Sequence, residues 1–324
     1  AADDNLIRPV VPPPPALTGL WRGAYTLAGD GGSAKGNGMR IAYLGPEGTF
    51  SEEAALAWAT PRGAEVVPFS SFPALVQAVE VGLAEQAMLP IENSLEGSVS
   101  GTVDLLIHET DLKICGELVL PVRHFLVGVP GTTLAEVRTV TSHPQALGQC
   151  RRFLERALPG AGQVAALSTA AAVAGVMEAG DRSQVAIGTR RAAELYGAEI
   201  LAADIQDFDN NVTRFVVLAE ADAPPTGQDK TSLCFSVKAN VPGALYEVLG
   251  VLAAAQIQMT KVESRPKKSK LGDYYFLVDI EGHREDPPIR AALDQMAEVV
   301  AELKVFGSYP ASPVPAPTKS RAGA

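Results

Sequence analysis

The 324-residue sequence predicts an α/β protein that carries a second, smaller domain of βαββαβ order near its C-terminal end. Two observations support this prediction. From Met39 onward, short β-like apolar runs alternate with segments in which apolar residues have helical spacing. After a Pro- and Gly-containing linker over 221–229, the order of elements becomes strand, helix, strand, strand, helix, strand.

The first region repeats one local unit, in which a strand leads through a turn into a capped helix. Its opening strand spans 40–44, and residues 49–52 (TFSE) have the S/T-x-x-E form of a capping box. Ser142 is predicted to cap a later helix, with Pro144 in the first turn, that continues to Leu158. Further strands are predicted over 65–69, 122–129, 137–141, 164–167, 185–188 and 213–218. This alternation is typical of layered α/β structure.

The second region, over 230–310, has the element order of a ferredoxin-like fold. Its predicted elements are strands over 231–238, 256–263, 273–281 and 304–307, and helices over 243–254 and 287–302. Residues 1–38 contain four consecutive prolines and a Gly/Ser-rich stretch, so we expect a disordered leader. The Pro/Ala/Ser-rich residues 311–324 are expected to form a disordered tail.

Composition and charge exclude several classes of protein. The net charge of −10, from 37 acidic and 27 basic residues, disfavours nucleic acid and anionic membranes as partners. No apolar run reaches the ~18 residues of a membrane-spanning helix. The three cysteines (Cys115, Cys150 and Cys234) are far apart and the four histidines are scattered, so no metal site or disulfide is expected. Free thiols suit a reducing compartment, and we expect a cytoplasmic protein.

Hydroxyl and amide side chains concentrate where the predicted strands lead into helices. A helix N-terminus presents unpaired N–H groups and a partial positive charge. Several such ends around one cleft would hold a small carboxylate without a basic patch. Each of these side chains could equally be an ordinary helix cap. The candidate substrate-binding residues are Thr49, Ser51, Asn93, Ser94, Ser142, Gln145, Gln149 and Thr169, together with Arg214.

Six motifs, in order from Met39 to about Pro310, resemble those of a known family. The catalytic-region motifs of prephenate dehydratases are similar to residues 45–51 (GPEGTFS), 90–94 (PIENS), 142–150 (SHPQALGQC) and 211–215 (NVTRF). The phenylalanine-binding motifs of ACT regulatory domains resemble residues 240–245 (NVPGAL) and 263–266 (ESRP). Nothing in residues 1–38 resembles the chorismate mutase helix of some family members, so a monofunctional enzyme is expected.

The resemblance implies a catalytic region over 39–220 with two lobes, similar to type 2 periplasmic binding proteins. The chain would cross between the lobes near 115–120 and 200–205. The implied reaction is the decarboxylative dehydration of prephenate to phenylpyruvate in L-phenylalanine biosynthesis. Aromatisation of the ring supplies the driving force, so no cofactor and no metal is expected.

The resemblance also implies that Thr213 is the catalytic residue, as a hydrogen-bond donor to departing hydroxide. Arg214 is either a bidentate partner for a substrate carboxylate or part of a structural ion pair. Because successive side chains of a strand face opposite ways, Thr213 and Arg214 cannot both enter the cleft once the strand has begun. Glu92 is either an acid in the reaction or a capping or ion-pair residue. His143 is expected to be structural.

For the ACT region, the resemblance implies that phenylalanine binds at a dimer interface and shifts the lobes towards a closed, less active state. A homodimer or homotetramer is therefore expected. The implied effector-binding residues are Asn240, Pro242, Gly243, Ala244, Leu245, Glu263, Ser264 and Arg265.

Two alternatives are open at this point. An arogenate dehydratase acts on a substrate with an amino group in place of the keto oxygen, and one or two contacts would switch the preference. A plastid location would accompany a photosynthetic source. A non-catalytic anion-binding protein with an ACT sensor would have the same fold.

Overall fold

The computed structural model describes residues 38–268, 270 and 272–313, and over these residues the strands form three sheets. Apart from Gly38, the predicted leader lies outside the described residues, as does the predicted tail beyond residue 313. Within the described part, no helix is long and apolar enough to cross a membrane.

The first sheet forms one lobe, and its strands come from the N-terminal and the C-terminal parts of the catalytic region. Its elements are β1 (Arg40–Leu44), α1 (Phe50–Ala59), a 3-10 turn (Thr60–Arg62), β2 (Glu65–Phe69), α2 (Phe72–Glu80), β3 (Gln86–Asn93), β4 (Gly97–Ser98), α3 (Ser100–His108), β5 (Lys113–Pro121) and β11 (Val212–Ala219). The strand order is β2-β1-β3-β11-β5, with β4 paired to β3. The helix α1 begins where Thr49 Oγ1 accepts from the Glu52 N–H group, at 3.3 Å.

Strand β11 lies between β3 and β5 and is antiparallel to both. Its residues Phe215 and Val217 pack into the apolar cluster under α1. The alternate residues Val216 and Leu218 belong to the cluster under α2 and α3. The strand therefore presents successive side chains to two different parts of the molecule.

The second sheet forms the other lobe. Its elements are β6 (Phe125–Gly128), β7 (Thr139–Ser142), α4 (Pro144–Gln149), α5 (Arg151–Ala157), β8 (Gly162–Ala165), α6 (Thr169–Ala179), β9 (Gln184–Gly188), α7 (Arg190–Tyr196) and β10 (Glu199–Ala202). The strand order is β10-β6-β9-β7-β8.

The chain passes between the lobes through residues 122–124 and 203–211. The expected first crossing near 115–120 is wrong, because those residues belong to β5 and pair with β11. The second passage starts within the expected 200–205, directly after β10 ends at Ala202.

The third sheet has the predicted βαββαβ order. Its elements are β12 (Asp229–Val237), α8 (Ala244–Ala254), β13 (Met259–Pro266), β14 (Tyr274–Glu281), α9 (Pro287–Val299) and β15 (Val300–Pro310). The strand order is β13-β14-β12-β15, and both helices pack on one face. The prediction of a helix to 302 and a short strand over 304–307 is wrong, because pairing with β12 extends β15 from Val300 to Pro310.

The other face of this third sheet packs against the first lobe. Cys234, Leu277, Phe306 and Tyr309 join the apolar cluster that lies under α2 and α3. At Gly307 the contact is so close that a Cβ atom would lie 2.3 Å from the carbonyl oxygen of Ile114. The small domain is therefore packed directly onto the face of the sheet that Val216 and Leu218 cover.

Candidate active site

A cavity of about 430 Å³ lies between the two lobes, and both contribute to its walls. The candidate residues that line it are Thr49, Ser51, Asn93, Gln145, Gln149, Thr169 and Thr213. They come from distant parts of the sequence and meet because the strands of both lobes end at this cleft.

Helices α1 and α6 begin at the cavity, as do α2 at Phe72 and α3 after Val99. Thr49 caps α1, and Ser168 caps α6 by accepting from the Ala171 N–H group at 3.0 Å. The lining residues, all within the described part of the chain, include no Lys, Arg, Asp or Glu. Attraction for an anion in the cleft would therefore come from helix N-termini and N–H groups rather than from charged side chains.

Thr213 is held by an asparagine whose orientation the main chain determines. Asn93 Oδ1 accepts from the N–H groups of Leu95 (3.0 Å) and Glu96 (3.1 Å). Asn93 Nδ2 therefore faces the other way and donates to Thr213 Oγ1 and Asn211 Oδ1, each at 2.9 Å. Because Thr213 Oγ1 already accepts this bond, its own hydrogen is available to donate into the cavity.

The same hydrogen-bond chain continues into the second lobe. Asn211 Nδ2 donates to Gln149 Oε1 at 2.9 Å, and His124 Nε2 lies 3.0 Å from that oxygen. Gln149 stands at a break between α4 and α5, where the sequence predicted one continuous helix. The break arises because the Gln149 carbonyl accepts from the N–H group of Asp207 at 2.7 Å.

Arg214 lies on the opposite face of β11 from Thr213. Its guanidinium group pairs with Glu92 (3.0 Å), Glu117 (3.2 Å) and Asp279 of the third sheet (3.0 Å). Burial alone would lower the pKa of Arg214, but the surrounding carboxylates outweigh burial and raise it. The interpretation of Arg214 as a substrate ligand is therefore wrong. The ion-pair alternative is correct for Arg214 and also for Glu92, which further pairs with Lys261 at 3.4 Å.

Two other candidate residues also do not line the cleft. Ser94 donates to the Asn210 carbonyl at 3.1 Å and accepts from the Val212 N–H group at 3.0 Å. Ser142 is fully buried and donates to the Ile187 carbonyl at 2.7 Å. The predicted capping role of Ser142 is wrong, because α4 is capped by His143, which also lines the cavity.

The GPEGTFS motif joins the two lobes beside the cleft. Thr189 Oγ1 donates to the Gly48 carbonyl at 2.8 Å, and Arg191 pairs with Glu52 at 3.1 Å. Gly48 has φ +84°, and a Cβ atom there would lie 3.1 Å from Ala192. Only half of the predicted capping box forms, because the Glu52 carboxylate accepts from Gly48 rather than from Thr49.

The sequence interpretation missed the apolar walls of the cavity. They are formed by Leu44, Phe50, Phe72, Pro90, Val99, Val122, Ala146, Leu167 and Phe215, with His124 beside them. Phe215 could have been found, since it lies two residues after Thr213 on the same strand. Val122 and His124 lie within the strand predicted over 122–129, but β6 begins only at Phe125, so both residues belong to the first passage between the lobes.

A second cavity, of about 400 Å³, lies at the start of α8 in the third sheet's domain. Of the implied effector-binding residues, those that line it are Asn240, Gly243, Ala244, Leu245 and Ser264. Pro242, Glu263 and Arg265 do not line it. Arg265 instead pairs with Asp104 of α3 at 2.6 Å, and Glu263 pairs with Lys261 at 3.2 Å. Alternation along β13 turns Glu263 and Arg265 towards the first lobe and leaves Ser264 at the cavity.

An uncharged cleft between two α/β lobes, joined to a separate domain with its own small cavity, defines a protein that binds small molecules. Family models agree with this class. The prephenate dehydratase model matches residues 41–223, and the ACT domain model matches residues 231–298. The chain belongs to the prephenate dehydratase family.

Individual relatives cover most of the chain. A prephenate dehydratase of Mycolicibacterium vanbaalenii is 42% identical over 289 residues, which are 85% of this chain and 92% of the relative. An arogenate dehydratase/prephenate dehydratase of Arabidopsis thaliana, described as chloroplastic, is 40% identical over 297 residues, with 87% and 74% covered.

Solved structures have the same fold. The prephenate dehydratase of Arthrobacter aurescens in complex with L-Phe has a TM-score of 0.78 at 34% identity, with 84% of this chain and 90% of that chain covered. GqqA, described as a novel type of quorum quenching acylase, has a TM-score of 0.76 at 39% identity, with 85% and 98% covered.

Proposed function

We propose that the cleft between the lobes converts prephenate to phenylpyruvate, carbon dioxide and water, with Thr213 as the catalytic residue. The observation that carries this proposal is the direction of the Asn93–Thr213 hydrogen bond. Since Thr213 Oγ1 accepts from Asn93, its hydrogen is free to stabilise a hydroxide that leaves the substrate ring.

The reaction balances as follows. The electron pair of the bond between the ring and its carboxylate moves into the ring as carbon dioxide departs, and the bond from C4 to its hydroxyl breaks. The hydroxyl leaves with the electron pair of the C4–oxygen bond and gains one proton to become water. The Thr213 hydroxyl stabilises the departing oxygen, and solvent supplies the proton in the net reaction.

The uncharged walls suit this chemistry. A carboxylate that becomes carbon dioxide loses its charge, and a cation beside it would favour the reactant over the transition state. The apolar walls, including Phe50, Phe72 and Phe215, leave the ring carboxylate weakly solvated. The pyruvyl carboxylate is retained in the product, and the N-termini of α1 and α6 can hold it.

The same lining favours prephenate over arogenate. Arogenate carries an ammonium group, which in a buried site requires a carboxylate or several acceptors. Within the described part of the chain, no Asp or Glu lines the cavity. The likeness to the Arabidopsis protein nevertheless makes arogenate the second substrate to assay.

An acylase activity, as described for GqqA, has less support. Acyl transfer to a serine requires a base that hydrogen bonds to its hydroxyl. Ser51 and Ser168 both line the cavity, but Ser168 Oγ caps α6. Among the described hydrogen bonds, neither serine is paired with His124 or His143.

The proposal extends to the ACT domain. L-Phenylalanine would bind in the 400 Å³ cavity beside Asn240 and Ser264 and lower the dehydratase rate. Exposed Val241, Tyr246 and Val262 near this cavity suit coverage by a second copy of the chain, so a homodimer or homotetramer is part of the proposal. A cytoplasmic location is also part of it, since all three cysteines are free thiols.

The route from effector to active site would run through one strand. Thr213 faces the cleft while the adjacent Arg214 pairs with Asp279 of the ACT sheet at 3.0 Å. A shift of the ACT sheet would therefore act on the residue next to the catalytic hydroxyl. Such coupling requires phenylalanine to bind the two arrangements with different affinity.

One assay tests the proposed function. Purified protein is given prephenate, arogenate or an amide substrate, each with and without L-phenylalanine. We expect rapid formation of phenylpyruvate from prephenate, slower turnover of arogenate, no amide cleavage, and inhibition by L-phenylalanine. Binding of prephenate without turnover would instead support an anion-binding protein and would overturn the proposal.

A further inference from the structure

His124 is a buried histidine with one paired and one unpaired ring nitrogen. Its side chain lines the cavity, and the residue is 2% exposed. The ring packs edge-on against Phe50, with centroids 5.5 Å apart. Nε2 lies 3.0 Å from Gln149 Oε1, whereas Nδ1 has no hydrogen-bond partner among the described residues.

The hydrogen-bond chain from Thr213 determines which ring nitrogen carries the hydrogen. The N–H groups of Leu95 and Glu96 fix Asn93 Oδ1, so Asn93 Nδ2 donates to Asn211 Oδ1. Asn211 must then donate through Nδ2 to Gln149 Oε1. Gln149 Oε1 is an amide oxygen and has no hydrogen to donate, so it also accepts from His124. His124 Nε2 therefore carries a hydrogen.

The unpaired nitrogen leads to the same assignment independently. A hydrogen on Nδ1 would be a buried donor without an acceptor, which costs free energy. Burial also lowers the pKa of His124, although its bond to Gln149 partly opposes this. Both observations indicate a neutral ring with its hydrogen on Nε2.

We propose that His124 is a positioning residue for the dehydration, an inference that rests on the proposed function. Its Nε2–H group, together with the bond from Gln149 Nε2 to Glu96 at 3.4 Å, holds the Gln149 amide in the orientation that accepts from Asn211. The backbone sets the direction of the chain at Asn93, and His124 fixes its other end, so that Asn211 and the Thr213 hydroxyl keep their positions. With the Gln149 amide reversed, two NH₂ groups would face each other at Asn211, and the bond between Asn211 and Gln149 would be lost.

Kinetics of two variants test this role. His124→Phe keeps a planar ring but removes the donor, and we expect kcat to fall about 10- to 100-fold, since one bond is lost and one acceptor is left unpaired. KM for prephenate is expected to change less than about threefold, because His124 acts through Thr213 and not on bound substrate. His124→Gln, which can place an N–H group near the Nε2 position, should recover most of kcat. His108→Phe, at the exposed C-terminal end of α3 and outside the residues that line the cleft, is the control: its ring packs edge-on against Tyr275, and kcat should stay unchanged.

Tautomer measurement separates this inference from the proposed function. The ¹⁵N shifts of His124 in the wild-type protein should show a neutral ring with Nε2 protonated, and this readout does not depend on any substrate. Loss of this signature is expected in Asn211→Asp, which cannot donate to Gln149. An Nδ1-protonated ring in the wild type, or equal kcat in His124→Gln and His124→Phe, would overturn the inference. A protein with the expected tautomer but no turnover of prephenate would instead overturn the proposed function.

Discussion

The two faces of strand β11 are chemically opposite. On the cleft face, Thr213 belongs to a chain of amides, a hydroxyl and a neutral imidazole, and no charged side chain lines the cavity among the described residues. On the other face, Arg214 lies among three carboxylates, one of them from the ACT domain. Successive residues of one strand thus serve two different kinds of interaction.

The two faces of β11 therefore have different roles: the cleft face carries the proposed catalysis, and the charged face connects the first lobe to the ACT domain. Neutral hydrogen bonds in the cleft are little affected by salt, and in the proposed reaction no cation would hold the carboxylate that departs. The ion pairs behind the strand fix the relative position of two domains, and their removal is costly because they are largely buried. Changes on one face should therefore appear in catalysis, and changes on the other should appear in stability and regulation.

The largest effect on stability is expected from removing the ion pairs of the charged face. Arg214→Met removes the cation that three carboxylates share, and the free energy of unfolding should fall by about 3–5 kcal/mol, the usual cost of breaking a buried pair. Urea denaturation measures this loss. A change below about 1 kcal/mol, as for a surface pair, would show that the cluster is solvated.

The next effect concerns the cleft face. Thr213→Ala should lower kcat about 10²- to 10³-fold, as the loss of one preorganised donor does in other enzymes. Thr213→Ser, which keeps the hydroxyl, should retain part of the activity. Thermal unfolding and L-phenylalanine binding serve as controls, and both should stay near wild-type values. Near-normal turnover in Thr213→Ala would remove the mechanism.

A smaller, pH-dependent effect is expected at Asp104. The hydrogen bond from Arg265 lowers the pKa of Asp104 from 3.8 to about 2, and Lys268 adds to this. The stabilisation is therefore complete above the unfolded-state pKa and disappears as the pH falls through the folded-state value. Asp104→Asn should cost about 1–2 kcal/mol near neutral pH, after allowance for partial exposure.

Urea denaturation of wild type and Asp104→Asn across the acidic range tests this prediction. The difference between the two proteins should shrink as the pH falls below about 4. A difference that stays constant down to about pH 2 would show that the carboxylate is not stabilised by its charge.

The smallest effect is expected from an exposed pair away from both faces. Arg151 and Glu155 are one helical turn apart at 2.9 Å, and both are more than half exposed. Arg151→Ala should change the free energy of unfolding by less than about 0.5 kcal/mol and leave kcat unchanged. A larger loss would mean that an exposed ion pair stabilises the protein as much as a buried one, so that burial does not explain the stability of the charged face.

The sequence was sufficient for the α/β alternation, for the βαββαβ order of the third sheet's domain and for the opposite orientation of Thr213 and Arg214, because these follow from periodicity. It did not predict strands β3, β5 and β10 or helix α3. It was not sufficient for side chains whose direction depends on tertiary contacts. Ser142 belongs to a cleft motif but bonds to Ile187 of a neighbouring strand. Arg265 belongs to an effector motif but pairs with Asp104, which is 161 residues away in sequence.

Irregular geometry was also beyond the sequence. The break after Gln149 depends on an N–H group of Asp207, which no local pattern reveals. The extension of β15 depends on pairing with β12, which overrides the helical pattern of residues 300–302. The importance of His124 depends on three amide orientations that become visible only when distant segments meet.

The central claim is that the cleft binds and transforms a dicarboxylate without a cationic side chain, and Arg214→Lys tests it most directly. This variant keeps the charge behind β11 but cannot form the same bidentate bonds. If Arg214 never touches substrate, KM for prephenate should stay within about twofold of wild type, while inhibition by L-phenylalanine weakens. A rise in KM of about tenfold or more, in a protein with unchanged thermal stability, would contradict the claim.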